Sequence, residues 1–146
     1  MILSESAHCA IIIVIELIKH YQRKGVSCKE ISLSQHIPLS HVESIAKTLE
    51  ELGLVSFIDL HSGGNVLYLT RDPETLMFED VIKAFDRRPF SGVFIDDTTG
   101  NILPQSCLTK LINKERQYVY KYLMKHYRKI NLAEWAECIN NERRFS

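Results

Sequence analysis

Val26 to Thr70 reads VSCKEISLSQHIPLSHVESIAKTLEELGLVSFIDLHSGGNVLYLT, and this stretch decides the fold. Ser27, with Glu30 three residues on, has the capping-box spacing of a helix start. That helix runs through Ile31 and Leu33 and stops at Ile37-Pro38, since proline cannot continue a helix and extends the residue before it. Ser40, with Glu43 three residues on, offers a second N-cap. Val42, Ile45, Ala46, Leu49 and Leu52 then recur at helical spacing and predict one buried stripe, ended by Gly53 as the residue after the C-cap. Leu54–Leu60 has the β-branched and aromatic content of a strand. Ser62-Gly63-Gly64-Asn65 is turn chemistry, and Val66–Thr70 returns as a second strand. Helix, turn, helix and two-stranded ribbon in this order predict a winged helix-turn-helix, a scaffold that sets one helix into a DNA groove.

The flanks complete a mostly α chain. Ser4 to Lys24 reads as a helix, apolar from Ala7 to Ile18 except at His8 and Glu16, hence a central core helix. Its apolar run is too short to span a bilayer, and neither a basic leader nor a cleavage site precedes it. Pro73-Glu74 leads into a helix carrying Phe78, Val81, Ile82 and Phe85. Asp96–Asn101, between Phe94-Ile95 and Ile102-Leu103, reads as the turn of a hairpin rather than a calcium loop, because alternating oxygen ligands and a distal glutamate are missing. From Cys107 a long helix places Leu108, Leu111, Ile112, Tyr118, Val119, Tyr122, Leu123 and His126 near heptad positions. Asn131, with Glu134 three residues on, caps a final short helix containing Trp135. The expected division is a winged helix-turn-helix DNA-binding domain over 1–88, then a loop, the long dimerisation helix and the C-terminal helix over 89–146, all in one compact unit.

Composition narrows the function. The chain has 146 residues, 18 basic against 18 acidic, but residues 1–100 carry 14 acidic and 9 basic, and residues 101–146 carry 4 acidic and 9 basic. The positive half is thus the C-terminal helical region, not the helix-turn-helix. Cys9, Cys28, Cys107 and Cys138 are widely spaced and form no Cys-x-x-Cys pair, so reduced thiols and a cytoplasmic location are expected. No metal spacing joins the cysteines to the six histidines, and no nucleophile–base motif, P-loop or Gly-x-Gly-x-x-Gly occurs; the chain is read as a non-enzyme without metal or cofactor.

The order of motifs resembles the Rrf-two family of bacterial winged-helix regulators. The matching residues are Ile37–Glu43, Leu49–Val55, Gly63-Gly64, Asp72-Pro73-Glu74, Asp80–Ala84, Cys107-Leu108-Thr109 and Ile130–Glu134. The resemblance implies a homodimer in which long C-terminal helices pack together through Leu108, Leu111, Ile112, Tyr118, Val119 and Tyr122. It also implies that two helices beginning near Ser40 enter the major groove of a pseudo-palindromic operator in double-stranded DNA, with the wings on minor groove or backbone. The chain departs from the family pattern at three places. Of the three cysteines that hold an iron–sulfur cluster in some members, only Cys107 is matched, while Ile95 and Asn101 stand near the other positions, so no cluster is expected. Asp59-Leu60 stands where members carry Arg-Gly in the wing, and His41 where a tyrosine is common.

If Val42, Ile45, Leu49 and Leu52 face inward, Ser40, His41, Ser44, Lys47, Thr48 and Glu51 face outward. The expected DNA contacts are Lys29, Ser40, His41, Ser44, Lys47, Thr48, and His61, Ser62 and Asn65 at the wing tip, with Arg23 and Lys24 as further backbone contacts. Lys47 is the only cation from Leu39 to Leu52, against Glu43, Glu50 and Glu51. The alternative is therefore a winged-helix protein-interaction module that has lost DNA binding. A small-molecule effector, if one exists, belongs at the loop from Asp96 to Pro104. Cys107, at a helix start where the dipole lowers a thiol pKa, is a candidate thiol sensor, although a helix start alone is weak ground and a small apolar cap on the dimer helix is the favoured reading.

Overall fold

A computed structural model describes residues 4–60, 64–85, 98–101 and 106–145. Helix α1 spans Glu5–Lys19, with Ser4 Oγ accepting from the Ala7 N–H at 3.1 Å. It buries Ala7, Ala10, Ile13, Val14 and Leu17 among others and forms the centre of the core. The helix stops five residues before the expected Lys24. His20, Tyr21 and Arg23 donate to the carbonyls three residues back, which tightens the last turn, and Gln22 then takes a left-handed conformation with φ +61°.

The helix-turn-helix follows. Strand β1 is Val26–Ser27 and helix α2 is Cys28–Gln35, with Ser27 Oγ accepting from the Glu30 N–H at 3.0 Å as the capping spacing predicts. His36 ends α2 in the left-handed region, and Ser32 Oγ donates to the Ile37 carbonyl at 2.6 Å across the turn. Helix α3 spans Leu39–Glu51. Its N-cap is Pro38, not Ser40: the Pro38 carbonyl accepts from the His41 and Val42 N–H groups, both at 3.0 Å, so Ser40 already lies inside the first turn. Val42, Ile45, Ala46 and Leu49 are buried as expected; Leu52 is not, because it sits at the C-cap where the chain turns away through Gly53. Leu33 is likewise exposed.

Strands β2 (Val55–Leu60) and β3 (Gly64–Leu69) form the antiparallel wing, in register from Val55↔Leu69 to Leu60↔Gly64. A third strand joins it: β1 pairs with β3 through Val26↔Leu67 and Ser27↔Val66, giving the order β1-β3-β2. Gly25 makes that approach possible, since a Cβ there would lie 2.3 Å from Val66 Cγ1 and 2.5 Å from Tyr68 Cζ.

A 3-10 turn at Pro73–Thr75 precedes helix α4, Phe78–Phe85, which buries Phe78, Val81 and Ile82. Helix α5 spans Cys107–Tyr127 and α6 spans Leu132–Phe145, four turns rather than the short helix expected. The α5–α6 corner is fastened to the segment before α4. Asn131 Oδ1 accepts from the Glu134 N–H at 3.2 Å while its Nδ2 donates to the Glu74 carbonyl at 2.8 Å. Backbone bonds join Phe78 to Ile130 and Leu132 to Leu76, and the Phe78 ring meets Tyr127 and Trp135 at 4.8 and 5.2 Å. From that corner α6 packs back against α1. Helix α5 meets α4 near its C-terminal end, where Met124 is buried and Arg128, its C-cap, donates to Glu79 Oε1 at 2.9 Å. The hairpin expected around Asp96 lies mostly outside the described residues; Thr98-Thr99 is a turn, followed by Gly100 at φ +72°.

Candidate nucleic-acid interface

Helix α3 shows a mixed polar face beside the wing. Ser40, Ser44 and Lys47 are exposed, and Thr48 is half-buried with its hydroxyl donating to the Ser44 carbonyl at 3.4 Å. Exposed Glu50 and Glu51 follow them. His41 departs from its expected outward role. Its Nε2 is buried and lacks a hydrogen-bond partner among the described residues, so this ring atom is directed into the protein rather than at a groove.

Asn65 is half-buried, and its Nδ2 donates to Glu43 Oε1 at 3.4 Å, which ties the wing to α3. Lys29 is exposed in the first turn of α2, on the rim of a groove of about 330 Å³ bordered by Leu39, Glu43, Gly64 and Asn65. The structure thus gathers Lys29, Asn65 and the start of α3 at one end of the wing. His61 and Ser62 lie outside the described residues. Asp59 is exposed, so the acidic residue of the wing faces solvent. Arg23 and Lys24 fall elsewhere, beside Leu67, Tyr68 and Leu69 at the other end of β3.

The six residues of α5 expected at a dimer interface share one property. Leu108, Leu111, Ile112, Tyr118, Val119 and Tyr122 are all exposed, from 45% for Ile112 to 80% for Tyr122. Sequence reasoning overlooked Met124 and Asn113, the residues of this helix that are buried. The signal for Met124 was its place near the aromatic corner, which the heptad pattern hides.

The cysteines do not assemble. Cys9 and Cys28 lie in the core of the winged helix. Burial, and after it the charge of Glu43, pushes the Cys28 thiol up to about 11; burial and Glu5 raise that of Cys9. Cys107 is exposed at the head of α5, where Ser106 Oγ accepts from the Thr109 N–H at 3.1 Å, and Cys138 is exposed on α6. Among the described residues no three histidine, cysteine or acidic side chains converge on a possible metal position. Two of the four thiols are buried and two are exposed. Among the described residues no helix is long and apolar enough to cross a membrane.

A helix-turn-helix with a two-stranded wing, followed by a long helix with an apolar outer face, defines the class of winged-helix transcription regulators. The sequence over residues 3–137 matches the Rrf2 family, described as iron-dependent transcriptional regulators, and the chain belongs to that family. Its structure is similar to CymR, the global cysteine regulator of B. subtilis, at a TM-score of 0.64 and 20% identity, covering 94% of this chain and 97% of that one. It is similar to the T. potens IscR at a TM-score of 0.67 and 20% identity, covering 95% and 88%. A putative transcriptional regulator from Lactobacillus plantarum superposes at a TM-score of 0.71 with 13% identity, covering 92% and 89%. The comparison with curated proteins found no match.

Proposed function

We propose that this protein is a homodimeric, sequence-specific DNA-binding transcription regulator of the Rrf2 family that works without an iron–sulfur cluster. The observation that carries the dimer is the row of exposed apolar side chains along α5, a face that a second copy would cover by two-fold packing. Such a dimer presents two α3 helices to a pseudo-palindromic operator in double-stranded DNA. Ser40, Ser44, Thr48 and Lys47 supply hydroxyl groups and an ammonium along α3, and Lys29 adds a cation at the wing. A cluster-free mechanism is supported by the separated thiols. Cys107 is the proposed thiol sensor; after mild peroxide, mass spectrometry should find it modified, and an unmodified Cys107 beside an oxidised Cys138 removes that role.

Exposed Asp59, Glu50 and Glu51 favour the second reading, a protein-interaction module that has lost DNA, because like charge repels phosphate. Selection of bound fragments from random duplex DNA, then a salt titration on the winners, separates the two. Enrichment of an inverted repeat whose affinity falls steeply with salt supports the regulator. A folded dimer that enriches nothing at low salt supports the interaction module.

A further inference from the structure

The turn that ends α1 builds a groove against the wing strand β3, away from the start of α3. Its volume is about 350 Å³, within the range of small-molecule sites. Half-buried Tyr21 and Leu69 give it an apolar side, and Tyr68, 42% exposed, offers a ring. His20, Arg23 and Lys24 border it, and among the described residues no carboxylate lines it. Arg23 and Lys24 are exposed, and among the described residues neither side chain has an ion-pair or hydrogen-bond partner. This is a concentration of unneutralised positive charge in the half of the chain where acidic residues outnumber basic ones. Gln22 in the turn takes φ +61°, uncommon for a non-glycine residue, and Gly25 packs closely onto Val66 and Tyr68.

We propose that this groove binds a small organic anion, an apolar or aromatic body carrying one carboxylate. The cations take the carboxylate by charge-assisted hydrogen bonds, and Tyr21, Tyr68 and Leu69 take the body. The position argues for a free small molecule over DNA backbone. The groove touches Leu67 to Leu69, towards the base of the wing, whereas the wing tip closes at the Leu60↔Gly64 pair and the start of α3 borders Gly64 and Asn65. Two to five residues of β3 at about 3.3 Å each separate the two ends. Because β3 carries both the groove and the wing, an occupant there is placed to act on wing position.

The test uses the full chain without DNA, so it stands apart from the operator selection. Benzoate is the probe and benzamide its uncharged counterpart, read by amide chemical shifts. The expected result is saturable benzoate binding with a dissociation constant on the order of 1 mM, fitting so small a ligand. Shifts should centre on Gln22, Arg23, Tyr68 and Leu69, with benzamide at least tenfold weaker. The double substitution Arg23→Gln, Lys24→Gln should abolish saturation while leaving the remaining amide spectrum folded. Equal binding of benzamide, shifts centred elsewhere, unchanged binding by the double variant, or no saturation overturns the proposal. So does a short non-operator duplex that moves the Arg23 and Lys24 amides, which would make the turn a phosphate contact. If the double variant unfolds, Tyr68→Ala replaces it, with loss of benzoate binding expected and retention counting against the site.

Discussion

The winged-helix body and the front of α5 use the same kind of pattern to opposite ends. In the body, the stripe Val42, Ile45, Ala46, Leu49 on α3 is closed by α1 and the sheet, and those side chains are all but free of solvent. On α5, the stripe Leu108, Leu111, Ile112, Tyr118, Val119, Tyr122 is interrupted by Glu115 and remains exposed. An amphipathic helix therefore states that it will be covered, not by what. In α3 the cover comes from the same chain; in α5 we propose that it comes from another.

Charge on α5 breaks the comparison most severely. Leu111→Glu should convert the dimer to monomer in sedimentation velocity while the monomer stays folded; a persisting dimer removes the α5 interface. In that monomeric background, Leu49→Ala should cost about 2–5 kcal/mol in urea unfolding, the usual range for emptying a closed core site. Leu111→Ala there should cost almost nothing, and equal costs would show that both stripes are internal. Gly25→Ala tests the body at its tightest point. Its new methyl meets Val66 near the backbone, so a loss of about 1–3 kcal/mol is expected, larger for Gly25→Val.

Lys47→Ala sharpens the DNA side: the slope of log affinity against log salt should shrink by about 0.9, the share of one phosphate contact. An unchanged slope moves the recognition face away from this residue. The smallest effect belongs to the join between α4 and α5. Burial works to raise the Glu79 pKa, but hydrogen bonds from Lys83 at 2.6 Å and Arg128 at 2.9 Å outweigh it and hold the carboxyl below its ordinary value. A lowered pKa in the folded state means that stability is fully present above the ordinary carboxylate range and is lost as pH falls through the lowered value. Arg128→Ala should reduce that acid-side loss and cost under about 1 kcal/mol at neutral pH, since Arg128 is largely exposed.

Local chemistry was legible where it acts over three or four residues. Ser27 with Glu30, Asn131 with Glu134, the stop at Pro38 and the left-handed Gly53 all depend on neighbours along the chain, and each forms as the residues specify. Cap positions misread at Ser40 and Lys24 were also local, but proline and the left-handed Gln22 changed the turn geometry. Two strands of the wing were plain in the residue content of Leu54–Leu60 and Val66–Thr70, although the second strand already begins at Gly64. Strand β1 was not, because two residues carry no periodicity and pair only after α1 has turned back on β3.

By itself, then, the sequence determined the class: helix periods, caps and a turn between strands are short-range physics and fix a winged helix followed by a long amphipathic helix. Only the tertiary structure decided which polar residues stand together. It turned His41 Nε2 inward, tied Asn65 to Glu43, set Arg23 and Lys24 at the base of the wing away from the start of α3, and separated four cysteines into two buried and two exposed. Those outcomes depend on how whole elements pack, and long-range packing leaves no mark at fixed spacing in the chain.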